Sequence, residues 1–110
     1  MHPAKVKRDH LQTLTDLPNI GKSGAGDLRL LGYRTPADLL GADPFDMYGR
    51  LCAATGTTHD PCVLDVFISV TRFLAGDEPQ AWWHYTEQRK RMLDESHSPG
   101  ENSRAGRPGA

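Results

Sequence analysis

Three times between residues 35 and 61 the chain repeats one device, a helix-capping residue followed by proline: Thr35-Pro36, Asp43-Pro44 and Asp60-Pro61. The side-chain oxygen of the first residue satisfies an orphaned N–H of the first helical turn. Proline at the next position lacks an N–H that would have had no partner there anyway. Each pair predicts a helix start, and three so close together leave room for little but helices joined by short loops. The first opens a short connector, Pro36 to Leu40, closed by Gly41. The second opens a helix from Pro44 to Ala54 with Met47, Tyr48, Leu51 and Cys52 on one face. The third opens Pro61 to Leu74, apolar at nearly every position except Asp65, Ser69 and Arg72, whose i, i+4, i+7 spacing makes one narrow polar stripe. That pattern predicts a buried central helix, ended by Gly76 and Asp77. Pro79 is expected to start a last amphipathic helix reaching about Leu93 and carrying Trp82, Trp83 and Tyr85.

Upstream, Asp9 is expected to cap a short first helix that places Leu11 and Leu14 on one face, with Leu17 continuing as an inner anchor. Pro18 ends that helix. Asn19 and Gly21 tolerate positive φ with little strain, so a sharp reversal fits there with Ile20 pointing inward. A helix from about Lys22 to Leu31 follows, burying Ala25, Leu28 and Leu31 and stopping at Gly32. Gly24 and Gly26 each cost it about 1 kcal/mol relative to alanine, and are expected to let another backbone approach. The expected architecture is all-α. It is a double helix-hairpin-helix-like bundle, with pairs at about Asp9–Leu31 and Pro44–Leu74, an added C-terminal helix and a disordered tail. The second hairpin is degenerate, since Gly56 has no neighbouring turn residue.

At 110 residues the chain supports a single domain, expected over residues 9–94, with a flexible N-terminus at 1–8 and a disordered, Ser/Gly/Pro-rich tail at 95–110. No apolar run approaches the roughly 20 residues of a membrane span, and no signal-peptide core is present, so the expected location is cytoplasmic. Two cysteines, Cys52 and Cys62, cannot make a disulfide framework. The formal net charge is only -1, but it is unevenly spread. Residues 1–35 carry six lysines and arginines against three aspartates, whereas residues 36–80 carry seven carboxylates against Arg50 and Arg72. Nucleic-acid binding on such a chain is one-sided and salt-sensitive.

A tight turn leading into a helix presents unpaired N–H groups and the positive end of the helix dipole, which together suit a phosphate oxygen. The expected DNA-backbone contacts are Asn19, Ile20, Gly21, Lys22 and Ser23, with Arg29 or Arg34 reaching an adjacent phosphate. Phosphate contacts position a duplex without reading bases, so binding is expected to be independent of sequence. Cys52, His59 and Cys62 lack tandem metal-ligand spacing, and a core role suits the two cysteines better than zinc. Trp82 and Tyr85 share a helix face, leaving Trp83 partly exposed, and Arg89-Lys90-Arg91 reads as a solvated face. No catalytic constellation is legible, no cofactor or small-molecule substrate is expected, and the chain is read as non-enzymatic.

The residues Leu17-Pro18-Asn19-Ile20-Gly21-Lys22, with Ala25, Leu28 and Leu31 to Tyr33, resemble the helix-hairpin-helix motif of DNA repair and recombination proteins. A longer pattern runs through Asp27-Leu28-Arg29-Leu30-Leu31-Gly32, Asp43-Pro44, Arg50-Leu51-Cys52, His59 to Asp65 and Trp82-Trp83-His84-Tyr85-Thr86. It resembles the bacterial "pathogenicity locus" family of small helix-hairpin-helix proteins, some of which carry a mitomycin-resistance label. The resemblance covers about residues 9 to 92 and implies a bacterial, cytoplasmic helical domain in contact with duplex DNA; a role in repair or damage tolerance is this reading's own expectation. Where the general motif has glycine this chain has Asn19, which tolerates the left-handed conformation but adds a side chain in the path of a phosphate. Base-excision glycosylases share the motif on much longer chains with a catalytic aspartate that has no counterpart here, so glycosylase activity is not implied. The alternative reading is a protein-protein interaction domain on the same fold with little or no DNA binding, suggested by the acidic middle of the chain.

Overall fold

All three cap-and-proline pairs initiate helical structure in the computed structural model, which describes residues 1–97. Asp43 accepts the N–H of Phe45 at 2.9 Å and opens α2, Pro44–Thr55; Asp60 accepts the N–H of Cys62 at 2.9 Å and opens α3, Pro61–Leu74. Thr35 opens the connector as a 3-10 turn, Pro36–Leu39, in a reciprocal capping box with Asp38. Before these lies α1, Lys22–Leu30, and after them a 3-10 turn at Trp82–Tyr85 runs into α4, Thr86–His97. Among the described residues there is no strand, so the fold is all-α. No helix among them is long and apolar enough to cross a membrane.

The expected first helix does not form. Residues 9–13 are not helical, and a single 3-10 turn, Leu14–Asp16, stands in its place, entered at Thr13. Two local forces explain it. Asp16 Oδ2 accepts the N–H groups of Thr13 at 2.8 Å and Gln12 at 2.9 Å, holding both away from a helical ladder. Pro18 then forces Leu17 into an extended conformation, ψ 150°, one residue later. The last helix also starts later than Pro79: the carbonyl of Gln80 is turned toward Asn19 rather than into a helix, and Ala81 is still extended, ψ 147°. It ends at His97, beyond Leu93. The expected disordered tail lies, past residue 97, outside the described residues.

One shared core joins the first turn to the helices. Leu17, Ile20 and Leu28 meet Met47 and Leu51 of α2 and Phe67, Val70 and Phe73 of α3, all at most 1% exposed. Full burial of such side chains contributes about 1.5–3 kcal/mol each, so the turn is anchored by its own apolar residues. A smaller cluster, Leu64, Ile68 and Tyr85, fixes the Trp82–Tyr85 turn against α3.

Two of the three polar-stripe residues of α3 face inward, while Arg72, its side chain 42% exposed, lies 3.8 Å from Asp77. Asp65 and Ser69 are fully buried, and each has a partner from another element. Asp65 takes a two-pronged contact from Arg89, Nε to Oδ1 at 2.9 Å and Nη2 to Oδ2 at 3.3 Å, and a hydrogen bond from Thr86 Oγ1 at 2.9 Å. Arg89, expected on a solvated face, is therefore the partly buried tie between α4 and α3, while Lys90 stays outside, 3.7 Å from Glu87. Residues 1–8, expected as a flexible end, make specific contacts. Arg8 lies 4.1 Å over the Phe73 ring and donates to the carbonyls of Phe73 and Asp77, both at 2.6 Å.

Candidate nucleic-acid interface

The turn from Leu17 to Gly21 is built from the inside out. Leu17, Pro18 and Ile20 are buried, which pins the loop at three points and turns its backbone sharply between them. The Ile20 N–H closes the turn on the Leu17 carbonyl at 3.3 Å. Asn19 takes a left-handed conformation, φ 64°, and is the one non-glycine residue to do so among those described. Its side chain, expected to stand in the path of a phosphate, is turned the other way. Both amide hydrogens are used, one on Ser69 Oγ at 2.9 Å and one on the Gln80 carbonyl at 2.8 Å. Ser69 in turn donates to the Val66 carbonyl at 2.6 Å. The backbone N–H of Asn19 donates to the Met1 carbonyl at 2.8 Å, and the Met1 nitrogen returns to the Leu17 carbonyl at 2.9 Å.

These bonds divide the candidate donors. The N–H groups of Asn19 and Ile20 are committed within the protein, so neither is left to hold a phosphate. Gly21 is the extended N-cap of α1, φ -99° and ψ -164°, with no side chain to cap the helix. The first backbone bond of α1 is from Ala25 to Gly21, at 2.9 Å. Among the described residues the N–H groups of Gly21, Lys22, Ser23 and Gly24 therefore have no acceptor and point out of the helix start. Lys22 and Ser23 are exposed beside them, and the first turn carries no acidic residue.

Gly24 and Gly26 were expected to admit a neighbouring backbone. A Cβ on Gly26 would meet nothing within 4 Å, and one on Gly24 would meet only the Ile20 side chain, at 3.5 Å. A Cβ on Gly21 would likewise meet nothing, so the approach to the helix start is open.

Arg29 and Arg34 are exposed but not gathered at the turn. Arg29 lies in the last turn of α1, about 10 Å along the axis from Lys22, and Arg34 follows the helix, its backbone N–H donating to Asp38 Oδ2 at 2.9 Å. A phosphate held by Lys22 is not the one they would meet. The N–H groups of Arg34 and Thr35 hold the Asp38 carboxyl below its ordinary pKa, so this carboxylate stays charged on the α1 exit side.

The residues weighed as metal ligands are occupied with one another's helices. His59 Nε2 is 2.8 Å from Thr55 Oγ1, the His59 N–H donates to Cys52 Sγ at 3.5 Å, and its carbonyl accepts the Tyr48 hydroxyl. Burial, with Asp60 alongside, pushes the Cys62 thiol above its usual pKa. No group of three or more His, Cys, Asp or Glu able to hold a metal occurs among the described residues.

Sequence reasoning missed the neighbour across the turn. Tyr85 is buried while Trp83 is 66% exposed, its ring edge-on to Trp82 at 5.5 Å between centroids. Trp82 and Trp83 stand beside Asn19 and Gly21 around one cavity. A signal for this proximity was present in Ser69, a polar residue on an apolar helix, but its partner lies 50 residues away in sequence.

Residues 7–91 match the family described as pathogenicity locus. A protein of Streptomyces lavendulae named mitomycin resistance protein McrB is 41% identical over 80 residues, spanning 73% of this chain and 76% of its own length. No solved structure matches.

Proposed function

The chain belongs to the pathogenicity locus family, and we propose that it is a non-enzymatic, sequence-independent DNA-binding module of helix-hairpin-helix type acting in the bacterial cytoplasm. One observation carries this reading: four outward-facing N–H groups, at Gly21 to Gly24, open a helix whose first turn has Lys22 and Ser23 and no carboxylate. A phosphate oxygen seated there receives backbone donors, the positive helix end and one ammonium without any rearrangement of the turn. Base edges are not reached, so the contact fixes position along the duplex and leaves sequence unread. A role in DNA repair or damage tolerance accompanies the grip, and the resistance in the relative's name extends to this chain as part of the same proposal.

Fluorescence anisotropy with duplex DNA at low salt tests it. Wild type binds and Lys22→Glu binds much more weakly; equal binding by the two, or none by either, ends the reading. The alternative, a protein-interaction domain on the same fold, draws on the exposed side chains of Leu30 (56%) and Leu40 (62%). It predicts no DNA binding by wild type and a protein partner lost on Leu40→Glu.

A further inference from the structure

Beside the helix start lies a cavity of about 690 Å³, within the range of small-molecule sites. Pro79, Trp82 and Trp83 form its apolar wall, and Asn19 and Gly21 bring the turn to its edge. No carboxylate lines it among the described residues, although the middle third of the chain is acidic. The amide of Asn19, its hydrogens spent on Ser69 and Gln80, puts no unsatisfied donor into it. The site thus offers a flat aromatic face, a wall without negative charge, and an edge at Gly21, whose N–H is unpaired and whose chain neighbour is Lys22.

A nucleotide has matching parts: a planar apolar base joined by one sugar to an anion. We propose that the Trp83-walled cavity receives one unstacked nucleobase of the strand whose phosphate sits on the start of α1, so that the protein prefers DNA with an extrahelical base over intact duplex. The assignment rests on the DNA-binding reading and adds to it the structure recognised. A base in an intact duplex is stacked on both faces and cannot reach the indole. A bulged base has already lost its pairing partner, so it leaves the stack at lower cost and can settle against Trp83. Every base has a π-face, so the preference is for structure and not for sequence.

The experiment compares three fluorescein-labelled duplexes by anisotropy at fixed salt: intact, carrying a single-adenine bulge, and carrying an abasic site in the bulge. Proteins are wild type, Trp83→Ala and Trp83→Phe, each checked for helicity by circular dichroism. Wild type is expected to bind the adenine bulge about tenfold more tightly than intact duplex, and the abasic bulge no better than the intact one. Trp83→Ala loses the preference and keeps its affinity for intact duplex; Trp83→Phe retains part of the preference. Equal binding of bulged and intact DNA by wild type, or a preference that survives Trp83→Ala, overturns the pocket while leaving the backbone grip standing. No binding of any duplex by wild type overturns the grip and the pocket together. Free deoxyadenosine monophosphate should not compete at micromolar concentration; if it does, the occupant is a soluble nucleotide and the assignment to a strand is wrong.

Discussion

Asn19 is the residue at which sequence and geometry can be separated most sharply by substitution. Its amide donates to Ser69 Oγ and to the Gln80 carbonyl, both in partly buried surroundings, and its backbone holds φ at 64°. Losing two hydrogen bonds costs about 1–3 kcal/mol. Glycine returns part of that cost because it enters the left-handed region freely, whereas alanine pays about 1–2 kcal/mol for its Cβ there. Urea unfolding should therefore show Asn19→Gly destabilised by ~1–2 kcal/mol and Asn19→Ala by ~2–5 kcal/mol. In a domain of this size each kcal/mol lowers Tm by about 4–8 °C, which circular dichroism resolves. Because the amide faces the protein interior and not the helix start, DNA affinity of folded Asn19→Gly should equal that of wild type. Wild-type stability in Asn19→Gly, or an alanine variant no worse than the glycine one, refutes the account of Asn19 as the tie between the turn, α3 and the Gln80 segment. A loss of DNA affinity in folded Asn19→Gly refutes the inward orientation.

Asp65→Ala leaves Arg89 without its counter-ion in a site 13% exposed, and should cost about 3–5 kcal/mol; a combined Asp65→Leu, Arg89→Met change should recover most of it, and no recovery would mean the pair does more than tie α4 to α3. Arg8→Ala removes the cation over Phe73 and two carbonyl contacts, so hydrogen exchange should speed up across residues 1–8 with α2 unaffected; unchanged exchange contradicts the contact. The N–H groups of Thr13 and Gln12 hold Asp16, and that of Cys62 holds Asp60, below the ordinary carboxylate pKa, as Arg34 and Thr35 do for Asp38. Each folded value lies beneath its unfolded value of about 3.9, so their stabilisation is complete above that pH and disappears as pH falls through the folded values. Urea midpoints should fall as the pH drops from about 5 to below ~4; a midpoint that rises over that range contradicts the sign.

Helix starts were legible because they are local. Asp43 and Asp60 cap from two residues away, and Thr35 acts within a reciprocal box only four residues wide, so spacing in the sequence is nearly spacing in space. The same locality explains the first failure. Asp9 is a good cap, but Asp16 captured the N–H groups of Gln12 and Thr13 and Pro18 lay too close for a helix to complete. The open helix start itself was legible, since Gly21 and Lys22 announce it. Which of its donors are free was not: Asn19 is engaged by Met1, Ser69 and Gln80, from three distant parts of the chain. Arg89 was misread for the same reason, because only the fold places Asp65 opposite it.

The backbone N–H groups of α1 are the core of the functional account, and position 22 isolates one of them. Lys22 is the first helical residue, where proline is tolerated, and Gly21 before it is already extended, as a residue preceding proline must be. Lys22→Ala and Lys22→Pro both remove the ammonium, but only proline removes the N–H. Measured by anisotropy against one duplex at one salt concentration, with helicity confirmed for both, Lys22→Pro should bind about tenfold more weakly than Lys22→Ala, the worth of one hydrogen bond to a charged group. Equal affinities in two folded variants would contradict the claim that the start of α1 holds a phosphate through its backbone.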